Sequence, residues 1–370
     1  MSRVQGGGGD VPRESLGGIR VLDCSGGVAG QFAGRLLAEH GAEVTLVEPP
    51  GGTPTRHAGG EEDAFLFRHL NSGKRSLVVD AGADEGAGLL CQALARVHVL
   101  LEDGEGVAPP EQGRPPGLVV ARLRDFPAEG PYACWRGSEM IHQALSGLMY
   151  ATGRAEREPL YGFGHRAYYS AGAAAVSAVV GALMQAMDTG EGRRVEISVY
   201  ETAIAMSQNL AAQYSYNGTY QKRGPYPGAC DIFQCRDGWV SMYCRGDRWA
   251  AVCAALGDPD LVLDERFRST DVLLRHWQEA YARLAPRVRA LPVDDVVARI
   301  EGARGLASRV YTMADILDCP HLAARAFWET AGPAGEQKIL GPLFRMEGTP
   351  RRVRHAAPDW VSPPVGEAHV

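Results

Sequence analysis

The stretch Ile19-Arg20-Val21-Leu22-Asp23-Cys24, running directly into Ser25-Gly26-Gly27-Val28-Ala29-Gly30, decides how this chain is read. Apolar and β-branched residues dominate the first six positions and enter a glycine-rich turn, which predicts a strand followed by a tight loop. Gln31 to His40 then carries apolar residues at helical spacing and stops at Gly41, a residue suited to a helix C-terminus. Val44 to Val47 reads as the next strand, and Glu48 closes it. A strand–helix–strand unit of this length implies a right-handed crossover between parallel strands, hence an α/β fold.

The alternation continues outward. Ser76–Val79 and Val97–Leu101 read as short strands with a helix over Gly88–Ala95 between them. A Pro-rich connector, Pro109–Pro116, precedes another strand at Leu118–Ala121. Tyr169–Met187 is rich in Ala, Gly and Val on every side, the mark of a helix that is buried or packed closely on another helix. Thr189–Gly192 ends it, and Val195–Tyr200 alternates as a strand. From Ile232 the character changes. A strand, a turn at Asp237-Gly238 and a second strand to Met242 lead into short amphipathic helices reaching Trp328. The expected organisation is a flexible tail over 1–14, the first part of a large Rossmann-like α/β domain over 15–205, a smaller α+β domain over 225–328, and a return to the large domain over 329–370.

The 370 residues are ample for two cores, and apolar and charged fractions of 45% and 22% are those of an ordinary globular protein. A net charge of −6 offers no electrostatic attraction to nucleic acid or to an anionic membrane. The sequence has no unbroken apolar run of the length a membrane span needs, and its Gly-rich start has no signal core. Eight cysteines are scattered without a Cys-x-x-Cys pair; Cys230, Cys235, Cys244 and Cys253 fit no zinc spacing, so no metal is expected. A cytoplasmic protein is the expectation.

Taken alone, the Gly26–Gly30 turn with Glu48 at the next strand end suggests a dinucleotide site, with amides on phosphate and the acid on a ribose. The spacing departs from Gly-x-Gly-x-x-Gly, and a turn that needs glycine for steric reasons fits the same residues. Ser138 and His142 stand four apart on an expected helix and so share one face; His142 there is either a general base or acid, or a residue at the edge of the core. Tyr168 falls near the start of the small-residue helix, where the helix dipole is expected to lower a phenol pKa.

The wider context resembles family III CoA-transferases, the group that includes carnitine-CoA transferase, formyl-CoA transferase and α-methylacyl-CoA racemase. Leu16 to Ser25, Ala29-Gly30 and Leu36 to Val44 are similar to that family's opening. Leu70-Asn71-Ser72-Gly73-Lys74-Arg75-Ser76 resembles its Asn-x-x-Lys-Arg-Ser element. Gly130-Pro131-Tyr132, Gln143 to Gly147, Asp237-Gly238-Trp239 and Asp318 to Leu322 follow in the family's order. The resemblance implies a large α/β domain completed by both ends of the chain, a small middle domain, and an interlocked homodimer. It implies acyl-CoA or another acyl thioester as substrate, with no tightly bound cofactor. CoA contacts are expected from Val28, Ala29, Gly30, Leu70, Lys74 and Asp103, with Lys74 as the cation left for a phosphate.

The resemblance breaks at the chemistry. The transferases attack the thioester with an aspartate four residues before a glycine of the small-residue helix. Counting back from Gly172 gives Tyr168, and no Asp or Glu lies between Glu158 and Asp188. The racemases' Gly-His-Asp reads Gly137-Ser138-Glu139 here. The family's Glu-Asn-Phe-Arg-Pro-Gly loop corresponds to Glu102-Asp103-Gly104-Glu105-Gly106-Val107, with glutamate where arginine would face phosphate. The expected catalytic candidates are Tyr168, His142, Glu139 and Ser138. Three readings stand at this point: an acyl-thioester enzyme of altered mechanism, a non-catalytic subunit paired with an active homologue, and a nicotinamide-linked oxidoreductase.

Overall fold

The computed structural model describes residues 14–58, 65–220, 223, 229–244, 246–331, 337–341, 344–350 and 355–359. All but the last residue of the tail expected over 1–14 lies outside these, as does 360–370. The opening strand forms as β1 (Arg20–Asp23), and Gly26-Gly27 leads into α1 (Val28–Glu39). Then come β2 (Glu43–Glu48), α2 (Phe65–Asn71), β3 (Arg75–Val78), α3 (Asp84–Leu94), β4 (Val99–Glu102) and β5 (Val119–Arg124). Next are α4 (Glu139–Leu145), α5 (Leu148–Ala151), α6 (Arg166–Thr189), β6 (Arg194–Ser198), α7 (Val199–Met206) and α8 (Gln208–Asn217).

The six strands form one sheet in the order β3-β2-β1-β4-β5-β6, and every pairing is parallel. This is the doubly wound arrangement, with the order reversing between β1 and β4, and ligands of such sheets sit beyond the strands' carboxyl ends at that reversal. The central strands are buried on both faces: Val99, Leu100 and Leu101 are inaccessible, as are Val119 and Ala121. Helix α6 lies against α1 on one face. At their crossing Gly172 is so close to Ala29 that an added Cβ would stand 2.7 Å from the Ala29 carbonyl oxygen. By length and composition α6 is apolar enough to cross a membrane, yet Ala167, Ala171, Ala175 and Val179 on one face are sealed in this core.

Contacts divide the chain into two units. One comprises 1–152, 160–221 and 326–370, the other 153–159 and 222–325. The first holds the sheet. The carbonyl of His355 accepts the Gly73 amide at 2.9 Å, so the chain at His355 lies against this unit. The smaller unit is built on a three-stranded antiparallel sheet of β7 (Ala229–Gln234), β8 (Trp239–Cys244) and β9 (Leu306–Arg309). Short helices enclose a core around Trp249, Trp277, Phe267 and Val252.

Candidate active site

At the carboxyl end of β5 the chain turns at Asp125, whose carboxylate gathers groups from three segments. Its Oδ1 is 2.9 Å from Nε2 of His142 on α4 and accepts the Tyr168 hydroxyl of α6 at 3.3 Å. Its Oδ2 accepts the Gly137 amide at 2.7 Å. Burial alone would push the Asp125 pKa up; the His142 and Gly137 hydrogen bonds outweigh it and hold the carboxyl below the usual range, so it is ionised at neutral pH. Its side chain keeps 21% exposure, while that of His142 is fully buried. Gly137 is a glycine by necessity, because a Cβ there would lie 2.3 Å from the His142 ring and 2.8 Å from the Asp125 carboxyl carbon.

Tyr168 is thus a neutral phenol. Burial raises its pKa, and the charges of Asp125 and Glu105 raise it further. The expectation that the helix dipole would lower it is corrected: desolvation and nearby anions oppose phenolate more strongly than a helix end favours it. The carboxyl group at the start of α6 is that of Glu139, whose Oε1 accepts the Ala167 amide at 2.8 Å and whose Oε2 accepts the Tyr168 amide at 3.4 Å. Buried Glu139 also takes a hydrogen bond from Gln143 Nε2 at 2.7 Å, which locks it in that place. It serves as a cap that positions Tyr168 rather than as a group facing solvent.

A second helix start lies beside this cluster. The amides of Gly26 and Gly27, just before α1, donate to Asp103 at 3.1 and 2.7 Å, and those of Glu105 and Gly106 donate to the same carboxylate at 2.9 and 3.2 Å. The phosphate-cradling position of a dinucleotide turn is therefore filled by the protein's own carboxyl group. Glu48, the acid that would hold a ribose, is bound by both Nε and Nη2 of Arg56 at 2.6 and 2.7 Å. Burial is the main force raising the pKa values of Asp103 and Glu105. A neutral phenol, an ionised carboxylate and two further acids thus surround the strand ends at the reversal point, an arrangement able to bind a carbonyl oxygen and attack its carbon.

The sequence matches the CoA-transferase family III model over residues 16–360. The chain belongs to CoA-transferase family III. It is 29% identical to succinyl-CoA–D-citramalate CoA-transferase of Chloroflexus aurantiacus, over 96% of this chain and 92% of that protein. It is 27% identical to the succinyl-CoA–L-malate CoA-transferase alpha subunit of Chloroflexus aurantiacus, over 95% and 86% of the two. A CaiB/BaiF family protein from Brucella suis shares the fold with a TM-score of 0.86 at 25% identity, covering 93% of this chain and 96% of that one.

Against this family background the expected site residues separate into two sets. Tyr168, His142 and Glu139 come together. Ser138 does not join them: it is the N-cap of α4, exposed, with its hydroxyl accepting the Ile141 amide at 3.4 Å. It precedes the helix, so its side chain does not share a helical face with His142. Two expected CoA contacts are also corrected. Leu70 is sealed in the core. Lys74 is equally inaccessible, and its Nζ donates to Asp23 Oδ2, the Gln31 carbonyl and Asn71 Oδ1 at 2.7, 2.7 and 2.8 Å. Its three protons are spent inside the fold. Ala29 and Gly30 are buried as well, whereas Val28 is half-buried and Asp103 borders the cluster. Sequence reading missed Asp125. Its signal was position: an acid directly after a strand of a parallel sheet, at the end where ligands gather.

Proposed function

We propose that this protein transfers CoA between carboxylic acids, using an acyl-CoA thioester as donor and no tightly bound cofactor. The observation that carries this is the Asp125–Tyr168 pair, a carboxylate and a protonated phenol 3.3 Å apart at the carboxyl end of the sheet, in a chain of CoA-transferase family III. The Tyr168 hydroxyl turns its one proton from Asp125 to the thioester carbonyl oxygen and stabilises the charge that grows on it as the carbon becomes tetrahedral. His142, fully buried, steadies the carboxylate, and Glu139 fixes the start of α6 so that Tyr168 stays in reach. Val28 and Asp103 border the path of the CoA chain. The relatives named for succinyl-CoA make that thioester the donor to try first.

The protein works as a homodimer in this reading. Support comes from apolar side chains that its own fold leaves uncovered: Tyr216 on α8 is 90% exposed and Met187 on α6 is 77% exposed, and α8 has no buried residue. Calorimetric titration with CoA and succinyl-CoA tests the function, with binding expected for both. Absence of binding and of any CoA exchange across a panel of acyl-CoAs would reject it.

A second reading has its own support in the relative named as an alpha subunit: here the chain is a non-catalytic partner of an active homologue. Co-expression with a homologue that has the family aspartate would then give a hetero-oligomer, and purely homodimeric material would count against it.

A further inference from the structure

We propose that Asp125 is the residue that takes the acyl group, the part played in the family by an aspartate at the position of Tyr168. The inference rests on the CoA-transferase reading above and names its nucleophile. Among the described residues near Tyr168, four carboxylates are available; Glu105 bears on the phenol through its charge alone, without a hydrogen bond to it. Glu139 is buried and holds the Ala167, Tyr168 and Gln143 N–H groups, so it has no path to a substrate. Asp103 is enclosed by four backbone amides. Asp125 is open to solvent on one side and directly bonded to the phenol.

Its two oxygens differ. Oδ1 faces both His142 and Tyr168, whereas Oδ2 receives only the Gly137 amide. Among the described residues nothing else bonds Oδ2, which therefore keeps a free lone pair. An ionised, hydrogen-bonded carboxylate is a poor base toward a carbon-bound proton, since its basicity is far from matched to that task. As a nucleophile it loses nothing by being ionised, and its low basicity makes it a good leaving group in the reverse step.

The steps balance without another reagent. Oδ2 bonds to the thioester carbon, the carbon–sulfur bond breaks, and CoA departs as thiolate, leaving a mixed anhydride of Asp125 and the donor acid. The thiolate then attacks the Asp125 carbonyl carbon. A carbon–sulfur bond forms and the donor acid leaves as carboxylate. The acceptor carboxylate attacks the resulting Asp125–CoA thioester, gives a second anhydride and expels thiolate. Thiolate attack on the acceptor carbonyl releases the new acyl-CoA and restores Asp125.

The test is trapping on the full-length wild-type protein. It is incubated with succinyl-CoA, treated with borohydride or hydroxylamine, digested and mapped by mass spectrometry. The expected result is a reduced or hydroxamate-bearing residue at Asp125, with the trap lost in Asp125→Asn. CoA exchange should fall on the order of a thousand-fold or more in that variant. Exchange of CoA in the wild type without an adduct at Asp125, or with an adduct at another acid, overturns this inference and leaves the CoA-transferase reading intact. Neither exchange nor adduct, in protein that also fails to bind CoA, overturns both. The wild-type adduct needs no variant, so a folding defect in Asp125→Asn does not blunt the test.

Discussion

Two polar networks lie within the large unit, and they are built to opposite ends. Around Lys74 every proton has a partner: Asp23, Gln31 and Asn71 take all three, in a place closed to solvent. Around Asp125 the account is open. Among the described residues one oxygen has a spare lone pair, the Tyr168 hydroxyl makes a long 3.3 Å contact, and His142 Nδ1 is buried without a partner. A saturated network fixes chain segments and resists change. An unsaturated one at a strand end has capacity left for a ligand.

The comparison breaks most visibly at Lys74. Removing one member of a buried ion pair strands the other charge, so Lys74→Met should cost about 3–5 kcal/mol in chemical denaturation. Replacing both partners, as Asp23→Leu with Lys74→Met, should recover part of that loss, because two apolar groups no longer strand a charge. The Asp125→Asn variant, by contrast, should lose activity far more than stability. Equal destabilisation at the two sites would erase the distinction drawn here.

Gly137→Ala sharpens it. The new methyl must displace the His142 ring and the Asp125 carboxyl, and overpacking of this kind costs about 1–3 kcal/mol. A drop in melting temperature together with loss of CoA exchange is expected. Intact exchange in a folded variant would show that the Asp125–His142 geometry is not needed for activity.

The fold was legible because its signals are local. Gly26-Gly27 after a strand, Gly41 after a helix, and the apolar run from Tyr169 each depend on neighbours a few residues away. The first six strands and α1, α3 and α6 formed within a few residues of their expected ends. The site was only half legible because its contacts are not local. Nothing within reach of Lys74 in sequence announces Asp23, 51 residues earlier, so the lysine of the family-like Asn-x-x-Lys-Arg-Ser element was expected on a phosphate. Asp125 escaped notice because its partners stand 17 and 43 residues downstream. Ser138 shows a third limit. Spacing of four suggested a shared face, but the helix begins one residue later and Ser138 became its cap.

Tyr168→Phe probes the open side alone. The ring and its packing remain, and the lost hydroxyl made only a long hydrogen bond, so stability should change by about 1 kcal/mol or less. Turnover should fall about ten- to hundred-fold through kcat, since the donor acts on charge present in the transition state. An effect confined to KM would mean that the phenol holds substrate and does not stabilise the developing oxyanion.

Acid sensitivity gives the smallest effect and the finest test. The folded-state pKa of Asp125 lies below the ordinary value because His142 and Gly137 bond its charged form against the pull of burial. Its contribution to stability is therefore fully present above the unfolded aspartate value of about 3.9 and is lost as pH falls through the depressed folded value. Asp103 and Glu105, whose pKa values are raised, act in the opposite sense over a higher range. Denaturation of wild type and Asp125→Asn from pH 6 down to about pH 3 separates the two contributions. The wild type should lose its advantage over the variant only below about pH 4. A gap that instead closes near neutrality would mean that Asp125 is protonated in the folded protein, which would remove the anion on which both the nucleophile assignment and the contrast with Lys74 rest.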